Sequence, residues 1–192
     1  MVRLFIALPV PAAVKDELRQ VQAELSERMS DDSVRWTTPK QMHLTLRFLG
    51  EVVRSQVEDL TGAVREVGRQ FPPLHLRAQG VGFFPNPRFP RVIWAGVHDI
   101  EGQLQLLQAA VSEASARFTD EEAEKNFTGH LTLGRVRNPK PTQAEALAEW
   151  ARGIGERIFG EWRADTVEIM RSEPSAHGSE YTSMASIRLV VE

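Results

Sequence analysis

The chain of 192 residues contains no cysteine. Disulfides, thiolate nucleophiles and cysteine-bound zinc are therefore excluded, and a reducing, cytoplasmic compartment fits. Long hydrophobic runs are also missing, and nothing approaches the roughly 20 apolar residues that cross a bilayer. Residues 1–8 carry Arg3 and a short apolar run. They read as a first strand, too short for a signal peptide and without a small-residue cleavage site. Neither sign of charge dominates: 23 Lys and Arg stand against 26 Asp and Glu, a net charge of −3. No global basic field is present to hold a long nucleic acid. There is no Walker-type loop, Gly-rich dinucleotide turn or Gly-x-Ser-x-Gly elbow, so serine or cysteine nucleophilic catalysis has no support. The length suits one large domain or two small lobes with a substantial core.

Histidine is scarce as well, with five in the chain, and two of the five head identical blocks. These are His43-Leu44-Thr45-Leu46 and His130-Leu131-Thr132-Leu133. Polar residues at i and i+2 with leucines between them mark a half-buried strand. On such a strand each block offers one imidazole and one hydroxyl on one face and sends both leucines into a core. Side by side, the two strands would line one cleft with two imidazoles and two hydroxyls.

Four helical stripes bracket the blocks. They are Val14, Leu18, Val21, Leu25 and Met29; Val57, Leu60, Val64, Val67 and Phe71; Ile100, Leu104, Leu107, Val111, Ala114 and Phe118; and Ala144, Leu147, Ala151, Ile154 and Ile158. Each needs a surface to bury against. Pro11 suits the first turn of the first helix, and Thr142 is the expected N-cap of the fourth. Strand-like runs lie at 2–8, 43–49, 74–83, 91–97, 130–136, about 161–171 and 184–191. The order strand, helix, block strand, helix, strand occurs twice, followed by one more strand. A duplication follows, with pseudo-twofold symmetry placing both blocks at a shared cleft. Three prolines within 85–90 break any regular element and mark the junction between halves 1–84 and 91–192 of one bilobal domain. Residues 172–180 read as a second loop. The expected fold is α+β, two pseudo-symmetric lobes, each a mainly antiparallel sheet backed by two helices.

Imidazole titrates near neutrality, so two histidines facing one substrate can divide the work of base and acid. Threonine hydroxyls can donate to phosphate oxygens, and an arginine can stabilise charge building on phosphorus. Cations cluster locally. Arg35, Lys40 and Arg47 flank the first block; Lys125, Arg135, Arg137 and Lys140 flank the second; Arg88 and Arg91 sit in the proline loop. A positive cleft on a mildly acidic chain suits a small anionic ligand.

The paired blocks resemble the HxTx motifs of the two-histidine phosphoesterases. Flanking residues narrow the resemblance: Arg3-Leu4-Phe5-Ile6-Ala7, Arg35-Trp36, Arg47-Phe48-Leu49-Gly50, Gly82-Phe83-Phe84-Pro85, and Phe127-Thr128-Gly129 ahead of the second block with Gly134-Arg135 after it. These are similar to the LigT-like RNA 2′,3′-cyclic phosphodiesterases over nearly the whole chain. The resemblance implies metal-independent hydrolysis of a 2′,3′-cyclic phosphate at an RNA 3′ end, leaving a 2′-phosphate. It implies His130 as proton acceptor and His43 as proton donor, Thr45 and Thr132 on phosphate oxygens, and a phosphate contact at Arg135. Run backwards, the same apparatus is a 2′–5′ RNA ligase. A non-catalytic module that grips RNA ends or nucleotides is the alternative outside enzymology.

Strand parity opposes one of these assignments. Arg135 has an odd offset from His130 and Thr132, so a regular strand points it away. A bulge at Gly134 would turn it back; otherwise Arg47, on the parity of His43 and Thr45, is the better-placed cation. Phe48 or Phe5 could stack on a terminal base, although core packing is the commoner fate of such residues. Tyr181 is a candidate for the cleft border. His75, His98 and His177 receive no catalytic role. No carboxylate cluster near either block suits a metal, and the acidic run 120–124 lacks calcium-loop spacing and reads as a solvated face. No cofactor is expected. The expected partners are RNA ends or cyclic nucleotides, with no membrane and no obligate protein partner, on a monomer.

Overall fold

The computed structural model describes residues 1–29, 33–137, 139–175 and 178–190. The four stripes form α1 (Ala12–Ser26), α2 (Val57–Gly68), α3 (Leu104–Ser115) and α4 (Pro141–Ile154), but Met29, Phe71 and Ile100 fall outside their helices and Ile158, expected in the fourth stripe, belongs to the strand that follows. Val14, Leu18, Val21 and Leu25 of α1 are buried, as are Leu60, Val64 and Val67 of α2 and Leu107 and Val111 of α3. A 3-10 turn, Ala116–Phe118, prolongs the third stripe and buries Phe118. Pro141 takes the first helical position of α4 and Lys140 its N-cap. Thr142, expected as that cap, lies inside the first turn. Proline at this position explains the difference, because its fixed φ starts a helix and its missing N–H needs no partner there.

Nine strands are described: β1 (Val2–Pro9), β2 (Val34–Trp36), β3 (His43–Val52), β4 (Leu74–Phe84), β5 (Val92–Asp99), β6 (His130–Val136), β7 (Ile158–Ala164), β8 (Thr166–Ser175) and β9 (Gly178–Arg188). They form two antiparallel sheets, ordered β3-β1-β8-β9 and β2-β6-β5-β4-β7. Three details differ from the sequence pattern. The run expected at 161–171 breaks at Asp165 into β7 and β8, which lie in different sheets. Of the run 172–180, expected as a loop, residues 172–175 and 178–180 pair as strand, as far as Ser175 opposite Gly178. β2 has only three residues, too few to show an alternation.

The pseudo-twofold relation is visible in the strand order. β1 corresponds to β5, β3 to β6, β8 to β4, and β9 to β7. Each half of the sequence sends strands into the other sheet: β2 joins β6 and β4 joins β5, while β8 joins β1 and carries β9 with it. Residues 85–90 turn β4 into β5 within one sheet, so the sequence halves and the two sheets are different partitions. Helices α2 and α3 pack behind the first sheet, α1 and α4 behind the second. Each sheet is thus backed by one helix from each half. One buried cluster runs through both sheets and includes Leu44, Leu46, Leu131 and Leu133.

Both block strands carry the same irregularity. In β3 the register to β1 passes from Thr45↔Ala7 to Arg47↔Ile6, skipping Leu46. In β6 the register to β5 passes from Thr132↔Trp94 to Gly134↔Ile93, skipping Leu133. A buried glutamine meets the carbonyl of the second leucine at each bulge, and the Leu133 carbonyl also accepts the Thr37 N–H at 2.9 Å. Gln22 of α1 donates to the carbonyls of Leu133 and Thr37, both at 2.8 Å. Gln108 of α3, the corresponding helix, donates to the carbonyl of Leu46 at 3.3 Å. Buried carbonyls need such partners.

Gln22→Leu is expected to lower stability by about 1–3 kcal/mol, and Gln108→Leu, which loses a longer bond, by less. Urea unfolding measures both. Losses near zero would show that the bulges hold without the glutamines.

Candidate active site

The bulges decide which side chains face the cleft between the sheets. Before them, alternation is regular: His43, Thr45, His130 and Thr132 are half-buried on the cleft face, while Leu44, Leu46, Leu131 and Leu133 are at most 2% exposed on the other. After them the parity reverses. Phe48 and Arg135 turn to the cleft; Arg47 and Gly134 turn inward. The bulge that the sequence required for Arg135 is present, one residue before Gly134. Its counterpart removes Arg47 from the face it was expected to share with His43 and Thr45. Arg47 is only 6% exposed, and its Nη2 donates to the carbonyl of Glu121 at 2.5 Å. Gly134 occupies the corresponding position under β2, where a Cβ would lie 2.7 Å from Val34 and 3.0 Å from Trp36.

The cleft holds a cavity of about 520 Å³. Its lining includes His43, Thr45, Thr132, Arg135, Phe48 and Tyr181, and also Arg3, Arg35 and Glu121. His130 lies outside that lining, on the same face of β6 and one pleat from Thr132. Six of the eight site residues singled out in the sequence therefore meet around one cavity. His130 stands beside it, and Arg47 lies beneath in the interior.

Each histidine opens its strand over a carbonyl two residues back. His130 Nδ1 lies 2.8 Å from the carbonyl oxygen of Thr128. That acceptor assigns the ring proton to Nδ1 and leaves Nε2 as the working nitrogen. His43 has the matching neighbour in the carbonyl of Gln41, which raises its pKa, but the contact falls short of a hydrogen bond and Nδ1 is buried without a partner. Burial is the largest influence on His43 and lowers its pKa; the Lys15 ammonium lowers it further. Lys15 is itself lowered by burial, partly offset by Glu168. With no anion beside it, His43 is therefore biased towards neutral imidazole.

Aromatic rings fix both imidazoles. His43 meets Phe5 and Tyr181 edge-on, at centroid distances of 6.0 and 5.6 Å. His130 meets Phe84 at 5.1 Å and Trp94 at 6.2 Å. Trp94 needs Gly82, since a Cβ there would fall 2.2 Å from the indole ring. Phe5 is 4% exposed and belongs to a small cluster with Ala7 and Met170, against which Tyr181 packs. Phe48 leans on Phe5 at 6.0 Å yet remains 63% exposed. Trp94 and Lys15 were not singled out in the sequence, and Phe84 was noted only within the run Gly82-Phe83-Phe84-Pro85. Trp94 opposes Thr132 in the ladder, so pairing of the strand at 91–97 with the second block would have exposed it. Lys15 carries no motif. His75 and His98 lie on β4 and β5, with His75 paired to Glu161 at 3.5 Å; His177 lies outside the described residues.

Among the described residues, no group of three or more His, Asp or Glu side chains converges to hold a cation. No described helix is long and apolar enough to cross a membrane. The arrangement supplies two imidazoles for proton transfer, two hydroxyls and an arginine for an anion, and aromatic surface for a flat ligand group.

A model of the LigT-like phosphoesterases matches residues 8–94. An RNA 2′,3′-cyclic phosphodiesterase of Methanothermobacter thermautotrophicus is 31% identical, with 98% of this chain and 99% of that protein aligned. One of the same name from Archaeoglobus fulgidus is 31% identical over 95% of this chain and 97% of its own. A crystal structure of a Thermus thermophilus protein superposes with a TM-score of 0.77 at 30% identity, covering 99% of each chain. With both His-x-Thr pairs on one cleft and relatives aligned end to end, the chain belongs to the LigT-like phosphoesterase family.

Proposed function

We propose that the protein hydrolyses 2′,3′-cyclic phosphates at RNA 3′ ends to 2′-phosphates by proton transfer between His43, His130 and the substrate. The observation that carries this is the duplicated bulged strand, which puts a histidine, a threonine and one further side chain on the cleft face of each sheet. The relatives named as RNA 2′,3′-cyclic phosphodiesterases support the choice of substrate.

The cyclic phosphate sits between Thr45 and Thr132, whose hydroxyls donate to its non-bridging oxygens. Arg135 neutralises charge as the phosphorus becomes five-coordinate. His130, with Nδ1–H committed to Thr128, has a free Nε2 lone pair to take a proton from the attacking water. His43 donates a proton to the departing 3′ oxygen. Its lowered pKa looks unsuited to a donor, but the substrate carries a negative charge. An anion beside His43 favours imidazolium and counters burial and Lys15. Phe48 offers an exposed ring to the terminal base, and Tyr181 closes the opposite side.

Alanine at His43 or His130 is expected to lower kcat/KM by roughly 10²–10⁴, about 3–5 kcal/mol of barrier. An aryl phosphodiester separates the roles, because a phenolate leaves without a proton. H43A should recover most of its loss on that substrate and H130A should not. The opposite pattern would exchange donor and acceptor; full activity in either variant on the cyclic nucleotide would reject both roles.

Arg135→Gln is expected to cost roughly 10²-fold in kcat/KM, the scale of one donor to a developing oxyanion. Arg47→Met should act on folding stability instead. Equal losses of turnover at the two positions would contradict the parity change across the bulge. Turnover should persist in excess chelator.

The pH dependence follows from His43. A donor with a lowered pKa loses its proton early as pH rises, so the alkaline limb of kcat/KM should lie below the ordinary imidazole value near 6.5. In kcat the bound anion moves that limb upward. Lys15→Met removes a charge that depresses His43 and should shift the kcat/KM limb to higher pH. An unmoved limb would separate it from His43.

A further inference from the structure

Apart from the histidine, the cleft lining carries three arginines, Arg3, Arg35 and Arg135, and a single carboxylate, Glu121. An anion at the edge of a phosphate site opposes binding unless it faces another part of the ligand. The backbone of Glu121 is held in place from below. Arg47 donates to its carbonyl, and Arg47 Nε and Nη1 lie buried without partners. Thr119 Oγ1 donates to the carbonyl of Leu49 at 2.6 Å and accepts the Glu121 N–H at 2.9 Å. Burying a guanidinium with so few partners is costly, and its one described hydrogen bond fixes this rim. The carboxylate rests on Gly50, at φ +61°, where a Cβ would lie 2.8 Å from Glu121 Oε1. Gly50 and Phe48 both line the cavity, and a further irregularity at Leu49 sets them opposite the neighbouring residues Leu4 and Phe5 of β1.

We propose that Glu121 reads the edge of the terminal base and favours bases that carry an exocyclic amino group, with Phe48 beneath the base and Arg47 as a positioning residue. The proposal rests on the cyclic-nucleotide assignment above. The pyrimidines isolate the effect, because cytosine presents the N4 amino donor where uracil presents the O4 acceptor. A carboxylate accepts from the first and repels the second. Adenine and guanine also offer amino groups.

The test compares 2′,3′-cyclic CMP with 2′,3′-cyclic UMP. The expected preference in kcat/KM is about tenfold for cytidine, the scale of a hydrogen bond to a charged group. Glu121→Gln, whose amide donates as well as accepts, should bring the ratio to within about twofold by weakening cytidine and improving uridine. Thr119→Val and Arg47→Lys should lower the same ratio by loosening the rim, a change that a general loss of folded protein would not produce. No preference in the unaltered protein, or equal scaling of both substrates in Glu121→Gln, would overturn the proposal. Calorimetric titration with 2′-CMP and 2′-UMP reads the ratio without turnover. Absence of hydrolysis would then reject the hydrolase assignment while the base preference is still decided.

Discussion

One extra residue just past each His-x-Thr pair, at Leu46 and at Leu133, governs which side chains face the cleft. Without the bulges at Leu46 and Leu133, strict alternation would turn Arg47 to the cleft and Arg135 away from it. With them, β3 presents His43, Thr45 and Phe48, and β6 presents His130, Thr132 and Arg135. The two triplets share spacing but not chemistry at the third place, where one sheet offers an aromatic ring and the other a guanidinium. The duplicated frame thus holds a cleft with a cationic side and an aromatic side. The bulges are kept by buried glutamines from helices behind each sheet, Gln22 and Gln108, so the helices act on the cleft through the strand backbone.

The two imidazoles are positioned alike. Both stand over a carbonyl two residues back and both are wedged by aromatic rings. His43 has a nearby ammonium, Lys15, and a buried Nδ1 lacking a hydrogen bond, whereas His130 Nδ1 meets the Thr128 carbonyl. Burial and Lys15 lower the pKa of His43, and under the proposed mechanism the negative charge of the substrate would act in the opposite direction.

Much of this was legible in the sequence because period-two alternation and a repeated tetrapeptide are strong local signals. The four helices and the two block strands, with His43, Thr45 and Thr132 lining one cavity, followed from them. Parity past the blocks did not, since a bulge adds a residue without a distinctive mark; Gly134 hinted at it, and nothing near Leu46 did. Arg47 accordingly read as a surface cation and is interior. The exchange of β4 and β8 between sheets is equally silent, because a strand's sequence does not name its partner. The break at Asp165, between two runs that each look like strand, was lost for the same reason. Trp94 and Phe84 were hidden by their distance in sequence from His130.

The central claim is that both histidines work on one phosphorus atom. A crystal structure with a bound 2′-nucleotide tests it most directly. The account requires the phosphate between the two His-x-Thr pairs, with Nε2 of His43 and of His130 each within about 2.6–3.2 Å of one of its oxygens, and Arg135 within hydrogen-bonding distance of another. A phosphate that meets only one imidazole, or that binds away from Thr45 and Thr132, would contradict it.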